Sequence, residues 1–166
     1  NTIFDLLMEA GAPHGLKPFG IRAMDALRIE KSYRLIPREL SIEYAALESG
    51  LDRFVHLNKA SFIGREALVE KQQAGFDWAF ATLDVHDVSD ADARGNEPLY
   101  VGGKLIGRAT SGGFGWRTDK SLALGMVRPD YAGIGTEIEI SSLGKRHMAT
   151  VVPESPFDAD NLRLRA

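Results

Sequence analysis

The sequence predicts an α+β protein in which a mixed region of helices and loops precedes a small antiparallel β module. The apolar period is helical in residues 1–73 and changes to a period of two from Trp78 onward. At least five short strands follow, with tight turns and no helical pattern between them. This order predicts two parts, residues 1–73 and residues 76–166, of which the second is a small barrel or sandwich.

Three helices are predicted in the first part. The first begins at the N-terminal end of the chain and ends at Gly11. The second covers about residues 21–31, and the third covers about residues 65–73, with Gly75 in the usual stop position. Helical spacing predicts a buried face on the second helix, made of Ile21, Ala23, Met24, Ala26 and Leu27.

A short strand is predicted over residues 51–57, between the second and third helices. Alternation along this strand places Arg53 in an apolar row with Leu51 and Val55. A guanidinium in such a row needs a carboxylate or a phosphate to satisfy its donors. Glu43 and Glu48 are the nearby carboxylates, so the residues alone leave a structural ion pair and a ligand contact both open.

Alternating residues predict the strands of the second part. A hairpin turns at Gly102–Gly103, and a second hairpin turns at Gly144. Residues 110–115 are rich in glycine and predict a flexible turn, which makes Ser111 a turn serine rather than a nucleophile. The strands cover about residues 79–85, 99–101, 105–106, 121–127, 138–140 and 148–152.

Composition excludes several classes of function. The net charge is -3 and the isoelectric point is near 5.8, which argues against nucleic acid as a partner. No apolar run approaches the length of a membrane helix, so we expect no membrane association. The absence of cysteine excludes disulfides and fits a reducing cytoplasm. Because the chain opens on Asn1 at the start of a helix, we expect a fragment of a longer protein.

No metal site is predicted. Asp90, Asp92 and Gly95 suggest a calcium loop, but Arg94 and Val101 stand where that loop needs carboxylates. The segment is therefore interpreted as a solvated acidic loop. The only candidate metal cluster is His86 with its neighbours Asp84 and Asp87, and its ligand spacing is poor.

Five ordered motifs carry a family resemblance, and they extend over nearly the whole chain. Their order and spacing resemble the C-terminal half of the glycine cleavage T-protein (aminomethyltransferase) superfamily. Within it, AMDALRIEK followed by FVHLNK is similar to the folate-binding part of dimethylglycine and sarcosine dehydrogenases. The motifs are GIRAMDALRIEKSY from Gly20, ALESGLDRFV from Ala46, FIGREAL from Phe62, GRATS from Gly107 and SLALGMV from Ser121.

The resemblance implies both a fold and an activity. Residues 1–73 would be the C-terminal part of a folate-binding α/β lobe, and residues 76–166 would be the family's antiparallel β-barrel. The family transfers a one-carbon unit from an amine to tetrahydrofolate. Its catalytic aspartate lies in the N-terminal half, so no catalytic residue is assigned in this chain, and we expect this stretch alone to be inactive and to pack against that half.

Site residues carry over position by position. The helix arginine that contacts folate in true T-proteins aligns with Met24, which favours the dehydrogenase branch, where that arginine is also absent. An aromatic residue at the folate in that branch aligns with Arg53, and a tail tyrosine near folate aligns with Arg163. Arg53 and Arg163 are therefore the predicted folate-binding residues.

Three functions stay open at this point. The first is a flavin-linked N-methyl amine demethylase, with FAD only if a flavin domain lies upstream. The second is an aminomethyltransferase or another folate-dependent demethylase without flavin. The third is a non-catalytic folate-binding or interaction module. A small amine is the expected substrate in the first two cases, and an upstream Rossmann-type glycine fingerprint would distinguish them.

Overall fold

A computed structural model describes residues 1–88 and 91–166. Three α-helices precede six strands, and three short 3₁₀ turns lie between elements. The helices are α1 (Thr2–Gly11), α2 (Ile21–Glu30) and α3 (Arg65–Ala74). The strands are β1 (Ala79–Val85), β2 (Pro98–Val101), β3 (Lys104–Gly115), β4 (Lys120–Val127), β5 (Glu137–Ser142) and β6 (Lys145–Val152). The 3₁₀ turns are Ala12–His14, Asp52–Phe54 and Pro129–Tyr131.

The six strands close into an antiparallel barrel in the order β1-β4-β3-β2-β5-β6. Closure removes the exposed strand edges that an open sheet of this size would present. The α+β class and the barrel are confirmed, and so are both predicted hairpins. In the described part of the second half, Pro129–Tyr131 is the longest helical turn. The exact division of the chain at residues 73 and 76 stays a prediction.

Strand β4 lies at the centre of the hydrophobic structure, because both of its faces are buried. One face contributes Ala123 and Val127 to the cluster inside the barrel. By strand alternation, Leu122, Leu124 and Met126 belong to the other face, and they are also fully buried. The helical half of the chain covers this second face, chiefly through contacts of α2.

The predicted flexible turn at residues 110–115 is wrong. These residues form the second half of β3 and pair with β4 up to Gly115. A Cβ atom at Gly112 would lie 2.4 Å from the carbonyl oxygen of Ala93. Glycine at this position therefore permits close approach of two backbones rather than a turn.

The predicted strand over residues 51–57 is also wrong. Asp52–Phe54 form a 3₁₀ turn, and the N–H groups of Phe54 and Val55 donate to carbonyl groups only three residues earlier. Because these donors are used locally, the apolar row expected around Arg53 does not form. Arg53 is exposed.

The buried face of α2 differs from the predicted one. Ile21, Met24 and Leu27 are between 48% and 72% exposed, whereas Ile29 and Glu30 are almost fully buried. Helix α2 packs on β3 through the side that carries Ile29, whose Cδ1 would lie 3.4 Å from a Cβ atom at Gly113. Helix α1 buries none of its residues. Both helices carry an apolar stripe, but neither stripe packs against the barrel.

Among the described residues, no helix has both the length and the apolar character needed to cross a membrane.

Candidate functional site

Three buried glutamates join the helical half to the barrel. Glu39 is fully buried, and its Oε1 accepts hydrogen bonds from the hydroxyls of Thr110 (2.6 Å) and Ser111 (2.5 Å). Its Oε2 accepts from the backbone N–H of Leu35 and lies 3.7 Å from Nη1 of Arg28. The full set of donors explains how a carboxylate can be buried here.

Glu48 and Glu30 make comparable connections. Glu48 accepts backbone N–H bonds from Asp77 and Trp78 at the start of the barrel, and its Oε1 lies 3.2 Å from Nζ of Lys71. Glu30 accepts the N–H of Arg117 and the N–H and hydroxyl of Thr118 in the β3–β4 turn. These carboxylates therefore fix the segment between α2 and β1 against the barrel.

A cavity of about 580 Å³ opens where the segment between α2 and β1 meets the C-terminal tail, which is residues 153–166. We call it the junction cavity. Its volume lies within the range of roughly 300–1,000 Å³ that is usual for small-molecule sites. The charged, polar and aromatic residues of its lining include Lys31, Tyr33, Arg34, Arg53, Phe54, Glu154 and Asn161.

Arg34 is the most firmly held residue of the junction cavity. Its Nε donates to the carbonyl of Ser49 (2.8 Å), and its guanidinium carbon lies 3.7 Å from the centre of the Phe80 ring. Nη1 and Nη2 donate to the two carboxylate oxygens of Glu154 at 2.6 and 2.9 Å. This bidentate pair attaches the tail to the rest of the cavity wall.

Lys31 fixes the tail at a second point. Its Nζ donates to the carbonyl groups of Phe157 (3.2 Å) and Asp158 (2.6 Å). The Oγ of Ser155 donates to the carbonyl of Lys31, and its N–H donates to the Oγ of Ser32. The tail therefore forms one wall of the junction cavity.

Arg53 lines the junction cavity without a partner of this kind. Its guanidinium carbon lies 4.6 Å from the centre of the Phe54 ring. Within residues 1–88 and 91–166, no carboxylate or carbonyl accepts from its side chain. The structural ion pair, one of the two alternatives that the residues left open, does not form among the described residues, because Glu43 pairs with Arg108 and Glu48 pairs with Lys71.

Arg163 lies on the exposed end of the tail, with its guanidinium carbon 5.4 Å from the Phe157 ring centre. It is outside the lining of the junction cavity, although Asn161, two residues before it, is part of that lining. The structure thus brings one of the two predicted binding residues into the cavity and leaves the other beyond it.

Sequence reasoning missed Arg34, Glu39 and Glu154. They lie in stretches without helical or strand periodicity, which is where pattern-based reasoning has least to work with. The only local signal is the group of charged residues near Pro37. This signal does not show that Arg34 pairs with Glu154, which lies 120 positions away.

The other predicted candidates have ordinary structural roles. Ser111 is fully buried in β3 and donates to Glu39, so it is neither a turn serine nor an accessible nucleophile. Asp84 pairs with Lys120, and the Nε2 of His86 lies 3.1 Å from Oγ1 of Thr150. Across the described residues, no group of three potential metal ligands occurs. Of the acidic loop, Asp90 lies outside the described residues.

Taken together, the junction cavity offers aromatic faces, two fixed cations and the guanidinium of Arg53, which has no acceptor in the described part of the chain. Such a set can bind a flat ring and a carboxylate.

Comparisons with known proteins give the family. The model of the glycine cleavage T-protein C-terminal barrel domain matches residues 79–158, and the model of the GCVT N-terminal domain matches residues 1–59. Mitochondrial dimethylglycine dehydrogenase of Mus musculus is 37% identical over 165 residues, which are 99% of this chain and 19% of that protein. An aminomethyltransferase of Desulfitobacterium hafniense is 36% identical over 151 residues, 91% of this chain and 41% of its own length.

A solved structure agrees with these relatives. The crystal structure of glycine cleavage system aminomethyltransferase T from Bartonella henselae superposes with a TM-score of 0.76 at 27% identity, covering 82% of this chain and 38% of that one. The chain therefore spans less than half the length of each of these relatives. The two domain models, the relatives that match almost all of this chain and the shared fold agree. The chain belongs to the glycine cleavage T-protein family and contains its C-terminal barrel domain.

Proposed function

We propose that this chain is part of a tetrahydrofolate-dependent one-carbon transfer enzyme of the dimethylglycine dehydrogenase type. Family membership and the 37% identity to a dimethylglycine dehydrogenase support the class of reaction. The observation that carries the proposal is the junction cavity, in which the guanidinium of Arg53 lies over an aromatic ring and has no acceptor among the described residues.

The junction cavity fits the chemistry of a folate. Tetrahydrofolate carries flat rings and a glutamate with two carboxylates. Tyr33 and Phe54 supply aromatic surface, and the Oδ1 of Asn161 is buried without a partner in the described part of the chain. A buried acceptor of this kind is costly unless a donor reaches it, and an N–H group of a ligand would do so.

Arg53 is the proposed contact for a glutamate carboxylate. Of the three cations in the lining, Lys31 is held by backbone carbonyls and Arg34 by Glu154. Arg53 alone keeps its donors free for a ligand, within the part of the chain that the structure describes. Arg163, at the outer end of the tail, is the proposed contact for a longer or more exposed portion of the same ligand.

In this proposal the residues of this chain bind the ligand, and other residues carry out the bond-making steps. Tetrahydrofolate, when bound, supplies the nitrogen that accepts the one-carbon unit from the amine substrate. The residues of this chain hold the ligand, fix the tail wall and orient the ring. FAD enters the proposal only through a flavin domain outside these residues. A reducing compartment such as the cytoplasm is the proposed location, because the chain has no cysteine.

The N-terminal half of the folate-binding lobe is the proposed partner of α1 and α2. Apolar residues between 48% and 76% exposed cover both helices and their connection. Exposed apolar residues in this number are typical of an interaction site. The principal residues are Ile3, Phe4, Leu6, Leu7, Leu16, Phe19, Ile21, Met24 and Leu27.

An aminomethyltransferase without flavin is the second candidate, favoured by the 36% identity to the Desulfitobacterium hafniense protein. A glycine-rich dinucleotide fingerprint in the upstream reading frame would select the dehydrogenase. A reading frame that lacks both this fingerprint and the family's catalytic aspartate would instead select a non-catalytic binding module.

The test is a titration of tetrahydrofolate against the protein expressed from its whole reading frame. Arg53→Met should weaken binding about tenfold, the loss expected for one charge-assisted contact. Arg146→Met is the matched control, because Arg146 is also exposed but pairs with Glu139 on the barrel. An unchanged dissociation constant in Arg53→Met would end the assignment of Arg53. Failure of the unaltered protein to bind tetrahydrofolate would end the proposed function itself.

A further inference from the structure

Arg34 presents a guanidinium that is already fixed in place before any ligand binds. Its side chain is only 10% exposed. Backbone carbonyls of Ser49, Ser32 and Gly50 accept from its three nitrogens at 2.8, 3.2 and 3.4 Å, while the Phe80 ring supports one face. The remaining donors of Nη1 and Nη2 point to a carboxylate. Such a fork recognises carboxylates in two-point geometry.

The backbone makes room for this arrangement at one position. Gly50 has a φ of 65°, and a Cβ atom there would lie 2.3 Å from Nη2 of Arg34. Any larger residue would push the guanidinium away from Glu154. Surrounding backbone carbonyls and the Phe80 ring therefore position the fork in addition to the glutamate.

Glu154, in contrast, is loosely placed. Its side chain is 50% exposed, and it lies just beyond the end of β6, in the tail. Within the described residues, Arg34 is the only partner of its carboxylate. Rotation into water would cost Glu154 little beyond this pair, because half of its surface is already hydrated.

We propose that Arg34 binds a ligand carboxylate in the junction cavity and that Glu154 occupies the same donors until the ligand arrives. The inference rests on the proposed function and names a second glutamate contact of tetrahydrofolate, deeper than Arg53. The exchange replaces one carboxylate by another, so the charge of Arg34 stays compensated throughout. Glu154 competes with the ligand for these donors. The apparent affinity for the ligand is the intrinsic affinity multiplied by the fraction of protein in which Glu154 does not hold the fork.

The proposal predicts an unusual direction of change. Glu154→Gln removes the competing charge and should raise the affinity for tetrahydrofolate about tenfold. 6-Methyltetrahydropterin has the reduced pterin ring but no carboxylate, so its affinity should be the same in the unaltered protein and in Glu154→Gln. Arg34→Lys keeps the charge but loses the fork, and it should reduce the preference for tetrahydrofolate over 6-methyltetrahydropterin about tenfold.

Calorimetric titrations of both ligands against the whole-reading-frame protein, below every melting temperature, measure these effects. Glu139→Gln removes another arginine–glutamate pair and serves as the control for a general loss of an ion pair. If Glu154 is only structural, Glu154→Gln will lower the melting temperature and leave both affinities unchanged or lower, which overturns the inference. Absence of tetrahydrofolate binding to the unaltered protein would overturn the proposed function as well.

Discussion

The carboxylate of Glu39 and the hydroxyl of Ser111 meet at 2.5 Å between the helical half and the barrel, and both residues are fully buried. The two residues are 72 positions apart. Since Thr110 donates to the same oxygen of Glu39, one carboxylate holds two neighbouring hydroxyls of β3. The contact fixes how the irregular segment lies on the barrel.

Removal of Glu39 should therefore destabilise the protein strongly. Glu39→Ala leaves the buried hydroxyl of Ser111 and the N–H of Leu35 without their acceptor and removes the carboxylate that lies 3.7 Å from Arg28, so we expect a loss of about 3–5 kcal/mol in the free energy of unfolding. Urea unfolding followed by circular dichroism measures it. Glu43→Ala is the control, because the Glu43 side chain is 55% exposed and pairs with Arg108 at the surface. Equal effects of the two substitutions would contradict a special role for Glu39.

Two adjacent glycines in β3 should respond differently to alanine. At Gly112 the new Cβ would lie 2.4 Å from the Ala93 oxygen, so the backbones must separate and we expect a loss of about 1–3 kcal/mol. At Gly113 the nearest atom is the flexible Cδ1 of Ile29 at 3.4 Å, so the loss should stay below about 1 kcal/mol. Thermal unfolding of Gly112→Ala and Gly113→Ala tests the ranking. A reversed order would show that the close approach to Ala93 does not limit this position.

Tyr44 should give the protein a distinct response to alkaline pH. Burial raises the pKa of its phenol above the usual 10.0, although the hydrogen bond from Arg108 opposes the change. The unfolded chain loses this proton first as the pH rises. The contribution of Tyr44 to stability is therefore complete below pH 10.0 and is lost as the pH rises through the folded pKa.

Near-ultraviolet absorbance of phenolate tests this behaviour. The difference between the titration curves of the unaltered protein and Tyr44→Phe should show one tyrosine that ionises above the normal range. Tyr131→Phe removes a different one of the four tyrosines and controls for the loss of a chromophore. A Tyr44 difference curve centred at or below the normal value would contradict the effect of burial.

The chain by itself should not transfer a one-carbon unit. We assign binding and orientation to its residues, and the family resemblance places the catalytic aspartate in the N-terminal half. Purified 166-residue protein incubated with tetrahydrofolate and N-methyl amines should form no methylenetetrahydrofolate, whereas protein from the whole reading frame should form it. Product from the 166-residue chain, at a rate that scales with its concentration, would require a catalytic residue within these positions.

The sequence by itself determined the secondary structure wherever a period was strong and local. Strands β1 and β4 and helix α3 were predicted nearly to their ends, and the central part of β5 and the second part of β6 were predicted, because alternation, helical spacing and turn glycines are short-range signals. The family was also predicted from the sequence, because the order and spacing of several motifs indicate a family even where individual binding residues differ. Arg53 was identified as a candidate binding residue through that resemblance, although the strand predicted around it does not exist.

Tertiary structure alone decided which apolar faces are covered and which charges meet. The stripe on α2 that includes Met24 is exposed, because β3 contacts the side of the helix that carries Ile29. The partners of Arg34 and Glu39 lie 120 and 72 positions away, and no local pattern encodes such a distance. Ionic and hydrogen-bonded contacts in irregular segments depend on how the chain packs, so the geometry of the junction cavity emerges only when barrel, segment and tail come together.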